Sequence, residues 1–195
     1  MRKIYHNKKG FTLVELMLAI AIILLISGLF VDLVIATHES YYTTYNRNDA
    51  SDYAQLYGKM IQDRILADRQ DNAFASNTKR TYLMNTTDSQ FYSTANPSTP
   101  VVAMPGAFLQ NGTSPKWTFC ISNVTYDTTT CMCTVSITVI DNFHSPGEVI
   151  LTYDQTFWIP NMPNTPKVTV AGINNAPVTI NGGTVNNYRI EVTKV

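Results

Sequence analysis

The chain has 195 residues, with 14 Lys+Arg against 14 Asp+Glu, so its formal net charge is zero. At 45% hydrophobic and 11% aromatic it is too rich in core-forming residues for a disordered chain, and three cysteines are too few for a disulfide-stapled scaffold. The neutrality hides an asymmetry. Arg2, Lys3, Lys8 and Lys9 all precede the first acid, Glu15, so the first ten residues carry +4 and the rest carries −4. A charge block at one end is an address rather than part of a fold. No basic patch follows it, which leaves no case for a nucleic-acid partner.

An apolar run follows the basic end. Leu16 to Val31 holds no charge, and Phe11 to Val31 is 21 residues. As helix, that length spans roughly 32 Å, which matches a hydrocarbon core of about 30 Å. The basic flank orients the span with residues 1–9 in the cytoplasm and the remainder outside. A secretory signal would have a shorter apolar run and a cut near Val34-Ile35-Ala36, giving a mature start near Thr37. A plain anchor would carry no charge within its span. Glu15 argues against both, because a carboxylate inside such a run costs about 2.5–3.5 kcal/mol on lenient scales. The nearest fixed positive charge on sequence grounds is the free amine that a cut after Gly10 would create at Phe11, on this chain or on a neighbour.

The stretch Lys8-Lys9-Gly10-Phe11-Thr12-Leu13-Val14-Glu15-Leu16 resembles the class III leader of type IV prepilins and pseudopilins. The resemblance implies cleavage after Gly10 by a prepilin peptidase and N-methylation of the new terminal Phe11. It also implies that Glu15 acts in assembly, neutralising a neighbouring subunit's terminal amine. Major pilins often carry a proline about 21 residues into the mature chain; Asp32 stands there instead, and no proline occurs before Pro97. That departure favours a minor pilin or pseudopilin of a pilus, secretion or DNA-uptake filament over a major subunit. The implied partners are prepilin peptidase, other pilin subunits and the cytoplasmic membrane before assembly, with the head outside and later on a cell-surface or periplasmic filament. The rival reading is a membrane-tethered binding or adhesion domain that never polymerises.

The helical pattern continues past the apolar run. Tyr53, Leu56, Tyr57, Met60, Ile61 and Ile65 recur at spacings of three and four, which predicts an amphipathic helix with one apolar stripe. Asp49, Asp52, Lys59, Asp63, Arg64 and Asp68 are expected on its solvent side. The stretch Tyr41–Asn46 combines aromatic and β-branched residues of modest helix propensity, so a kink or loosened turn is expected there. Tyr41, Tyr42 and Tyr45 fit either an interfacial aromatic belt or a subunit-contact surface.

Residues 77–195 contain 21 Thr and 13 Asn, which favours strands and turns. Strands are predicted at 117–126, 132–140, 149–158, 167–173, 177–180 and 188–193, with turns at Asp127–Thr130 and Asn181–Gly183. Residues 77–116 give no clear pattern. The expected fold is α+β: an antiparallel sheet covered by the Tyr53–Ile65 stripe. The expected divisions are residues 1–10 as leader, 11–34 as membrane and polymerisation helix, 35–72 as its amphipathic continuation, and 73–195 as the head.

Cys120 is expected to bridge across a hairpin to Cys133, or alternatively to Cys131, in a compartment where disulfides form. Asp141, Asn142, Glu148 and Asp154 offer oxygens to calcium, without the dense pattern of an EF-hand loop. The spacing of the three cysteines and His144 lacks the usual zinc pair. No hydrolase, zinc-protease or phosphate-loop motif is present, so neither catalysis nor a cofactor is expected.

Overall fold

In the computed structural model, which describes residues 12–94, 96–102, 109–110, 114–143, 146–161, 167–180 and 183–195, one helix is followed by strands alone. Helix α1 is Leu13–Gln70. The strands are β1 (Lys79–Asn85), β2 (Gln90–Ser93), β3 (Asn96–Val102), β4 (Leu109–Gln110), β5 (Ser114–Pro115), β6 (Trp117–Asp127), β7 (Met132–Asp141), β8 (Val149–Trp158), β9 (Val168–Asn174), β10 (Val178–Ile180), β11 (Gly183–Val185) and β12 (Tyr188–Lys194). The α+β expectation is met. The chain divides into two compact units, residues 1–46 and 47–195, so the second half of α1 belongs to the same unit as the strands.

In the first unit the helix runs without interruption through Tyr41–Asn46. The expected loosening there is absent. The hydroxyls of Thr43 and Thr44 donate to the carbonyls of Glu39 and Ser40 one turn back, at 2.8 and 2.9 Å. Thr37 and Ser27 do the same to Leu33 and Ile23, at 2.8 and 2.7 Å. Each hydroxyl is thereby satisfied inside the helix, so a low-propensity sequence stays helical without outside partners.

In the second unit every strand pairing is antiparallel, in a five-stranded sheet of order β3-β2-β1-β12-β9, a three-stranded sheet β6-β7-β8, and the small pairs β4-β5 and β10-β11. The helix stripe covers both large sheets. Tyr53 packs on Trp117 and Tyr57 on Phe119 of β6, with ring centroids 5.6 and 4.9 Å apart. Gly58 lets the helix backbone come close to β8: a Cβ there would stand 3.0 Å from both Tyr153 and Gln155. Buried Asn187 ties the two sheets together, accepting from the Ile121 amide at 3.2 Å and donating to the Met84 carbonyl at 3.1 Å.

The buried helix residues include Ala50, Ala54, Tyr57, Ile61 and Ile65. Leu56, expected in the stripe, is instead 40% exposed, because the buried face runs through Ala50, Ala54, Tyr57, Gly58, Ile61 and Ile65 and Leu56 stands to one side of it.

Asp68, expected in solvent, is the larger correction: it is 1% exposed. Its carboxylate accepts from Arg80 Nη1 at 2.7 Å and from the Tyr82 hydroxyl, both on β1. Arg64 Nε donates to the same Tyr82 oxygen at 3.0 Å. Arg80 also donates to Asp71 at 2.8 Å and lies 4.4 Å over the Phe74 ring. Burial, together with the hydrogen bond to Asp68, pushes the Tyr82 hydroxyl up to about 12. The end of the helix is thus fastened to β1 by a desolvated ionic knot, which costs little only while every member is present.

Candidate processing and assembly site

The first helical turn is built from Thr12, Leu13, Val14 and Glu15. The Thr12 amide and the Thr12 hydroxyl both donate to Glu15 Oε2 at 2.9 Å, and the Glu15 amide donates to the Thr12 hydroxyl at 3.3 Å. This is a capping box: an N-terminal threonine and a glutamate three residues on satisfy each other's orphan groups. The negative carboxylate also sits at the positive end of the helix dipole. Thr12 was missed by the sequence reading, although the Thr-x-x-Glu spacing before an apolar run is the signal for it. Thr12 thus gives Glu15 hydrogen-bond donors within its own span. Gly10 and Phe11 lie outside the described residues.

Beyond this cap the large apolar side chains from Leu13 to Ile35 stand 48–74% exposed. The most apolar 18-residue stretch of α1 has mean hydropathy 2.9, none of it is buried within the chain, and α1 is long and apolar enough to cross a membrane. An apolar surface of that extent has no stable place in water. It requires lipid or other protein around it.

Residues 5–31 match the prokaryotic N-terminal methylation motif. That motif is the class III leader of type IV pilins. No curated protein and no solved structure matches this chain. The match takes in Lys8 and Lys9 of the basic block, the Gly10-Phe11 junction, Glu15 and the apolar run to Val31, while Arg2 and Lys3 precede it. It implies processing by prepilin peptidase and assembly with pilin subunits, it fits anchoring in the membrane, and it points to a structural protein rather than an enzyme.

The cysteines are not brought together, and the calcium candidates are brought together only in part. The hairpin register sets Cys120 opposite Thr138 and Cys133 opposite Tyr126. Thr138 is five residues along β7 from Cys133, about 17 Å at roughly 3.3 Å per residue, whereas a disulfide needs Cα atoms within about 7 Å. Cys131 lies two residues further off, in the turn before β7, with φ of 57°. The expected Cys120–Cys133 bridge, and its Cys131 alternative, are therefore corrected: all three are free thiols. Cys120 and Cys133 are buried, which pushes both thiols up to about 12, while Cys131 is half-buried.

Thiol labelling of the native full chain without reductant is expected to modify Cys131 alone, and labelling of the unfolded chain to modify all three. Two thiols that emerge only after reduction, read by intact mass, would overturn this arrangement.

Of the calcium candidates only Asp154 stands apart, since the Asp141 amide donates to the Glu148 carbonyl at 2.8 Å. Asp141 is buried at the end of β7, accepting from the Phe143 amide at 2.7 Å, whereas Asp154 pairs with Ser136 in mid-strand. Among the described residues no three His, Cys, Asp or Glu side chains gather as a metal site. His144 lies outside them.

Proposed function

We propose that this chain is a minor pilin or pseudopilin-like subunit of a type IV pilus or a related secretion or DNA-uptake filament. It is made as a prepilin, cut after Gly10, N-methylated at Phe11 and held by one span with its head outside until it polymerises. The match of residues 5–31 to the methylation motif carries this reading. The exposed apolar helix supports it, since copies of the same helix would cover that surface once subunits leave the lipid.

Mass spectrometry of the amino terminus of membrane-extracted protein tests the processing. An N-methylated start at Phe11 is expected. An intact leader, or a start near Thr37, would overturn it.

One observation favours the rival reading of a tethered domain that does not polymerise. The capping box gives Glu15 a place in the isolated chain, so the carboxylate alone does not demand a neighbour. A charge-neutral substitution that keeps the cap separates the two readings, as argued in the Discussion.

A further inference from the structure

Strand β8 ends the three-stranded sheet, so one of its sides meets β7 and the other meets no described strand. The register tells which backbone groups lie on the open side. The Ile159 amide donates to the Cys131 carbonyl at 2.8 Å, directly across the β7–β8 pair. In an antiparallel ladder, bonded and non-bonded pairs alternate. Leu151, Tyr153, Gln155 and Phe157 therefore bond β7, while Thr152, Asp154, Thr156 and Trp158 turn their amides and carbonyls outward. The side chains agree. Non-bonded pairs stand closest across a ladder, and the Thr134–Thr156 and Thr138–Thr152 hydroxyls meet at 2.9 and 3.0 Å.

This edge lacks the features that protect sheet edges. Thr152 to Trp158 is about 20 Å of strand, with no lysine, proline or glycine, and its register with β7 is unbroken. Asp154 is its one charge. Among the described residues nothing bonds its outward amides and carbonyls. An open edge of that length is a template for an added strand.

We propose that the Thr152–Trp158 edge of β8 binds an extended segment of another protein, which joins the head as a further antiparallel strand. A row of outward amides and carbonyls is matched by another extended backbone. The side chains set what that segment carries. Tyr153 and Gln155 face α1 at Gly58, so Thr152, Asp154, Thr156 and Trp158 point to the other face of the sheet. All four are exposed, Trp158 by 53%. The docked residue opposite Asp154 is therefore basic, and the one opposite Trp158, four positions earlier in the docked strand, is apolar or aromatic. On the α1 face the docked strand runs beside Tyr153 and Gln155. The Tyr153 hydroxyl donates to Gln155 Oε1, and Gln155 Nε2 to Gln62 Oε1, both at 2.8 Å, so small polar side chains suit that side. A second copy does not meet these requirements. Its β8 brings no cation to Asp154, and antiparallel pairing of two β8 edges sets the heads end for end, which copies anchored alike in one membrane do not present. The claim concerns the head alone, so neither a retained leader nor a failure to polymerise bears on it.

The probe is the end-blocked peptide Thr-Phe-Thr-Val-Thr-Lys-Thr, added to the full chain in detergent. Its Phe, Val and Lys stand opposite Trp158, Thr156 and Asp154, with their amides facing β8. Binding is expected to slow hydrogen exchange of the Thr152, Asp154, Thr156 and Trp158 amides about tenfold or more at saturation. N-methylation of the peptide Val is expected to abolish binding; N-methylation of the Thr beside it, whose amide faces away, is expected to leave it intact. Asp154→Lys is expected to weaken binding roughly fivefold, and a peptide with Glu in place of Lys to restore it. Thr156→Pro removes an outward amide and leaves the β7 ladder whole, so it is expected to fold and not to bind. Should that variant fail to fold, Asp154→Lys with the two peptides decides. No binding up to about 1 mM peptide, equal loss from either N-methylation, or a charge swap without effect would overturn the proposal. A dimer of the chain alone that Thr156→Pro dissolves would assign the edge to a second copy and overturn it as well.

Discussion

Glu15→Gln and Glu15→Ala are expected to lose filament assembly alike, by about tenfold or more in sheared-filament yield, while both are still cut after Gly10. Glutamine keeps the cap: its side-chain oxygen still accepts from the Thr12 amide and hydroxyl, which now donate to Glu15 Oε2 at 2.9 Å. Alanine removes cap and charge together. Loss of such a cap costs about 1 kcal/mol of helix start, a local effect at the end of a 58-residue helix. A carboxylate in hydrocarbon carries a cost of about 2.5–3.5 kcal/mol, which a neighbour's terminal amine would offset and a neutral amide does not require. If the charge is what a neighbouring subunit reads, the two variants fail together. Normal assembly of Glu15→Gln beside failure of Glu15→Ala would assign Glu15 to capping and favour the tethered-domain reading.

Asp68→Ala is expected to be the most damaging change in the head. Removing one member of a buried ion pair costs about 3–5 kcal/mol, because the partner charge stays desolvated. Arg80 keeps 24% side-chain exposure and rehydrates in part, which places the expected loss near about 3 kcal/mol. Tyr82→Phe removes only one of the hydrogen bonds and is expected to cost about 1 kcal/mol. Urea unfolding of the full chain in detergent, followed through Trp117 and Trp158 fluorescence, is expected to shift its midpoint by about 1 M or more for Asp68→Ala. An unchanged midpoint would contradict the knot.

The same knot has an acid limb. The Arg80 hydrogen bond, then the Ala73 amide, hold the Asp71 carboxyl below the usual carboxylate range. A carboxyl depressed in the folded state stabilises above its unfolded value, and that contribution is lost as pH falls through the folded one. Asp71→Asn is expected to remove this part of the acid dependence.

Much of the fold was legible because its signals are local. The predicted strands at 117–126, 132–140, 149–158, 167–173, 177–180 and 188–193 correspond to β6, β7, β8, β9, β10 and β12 to within a residue or two at either end. β-Branched and aromatic residues between turn formers mark them. β1 was missed because Leu83 interrupts its alternation: Tyr82 and Met84 are buried, but the residue between them is apolar as well. The cysteine pairing was misjudged although the predicted turn implied the register: with Asp127 opposite Met132, counting back sets Cys120 opposite residue 139, and the extra residue between Ile121 and Asn123 shifts that only to Thr138.

By itself the sequence determined where the chain is cut in the prepilin reading, which segment is apolar enough for a membrane, and that strands follow a helix. Charge blocks, a glycine before a phenylalanine, and runs of one hydropathy are properties of neighbouring residues. Which groups become partners across distance belonged to the tertiary structure. It turned Asp68 from a solvent residue into the centre of a buried knot, because only folding carries Arg80 and Tyr82 of β1 to the end of α1. It also placed the bulge that leaves Cys120 opposite Thr138 rather than residue 139, because a bulge has no strong sequence signal.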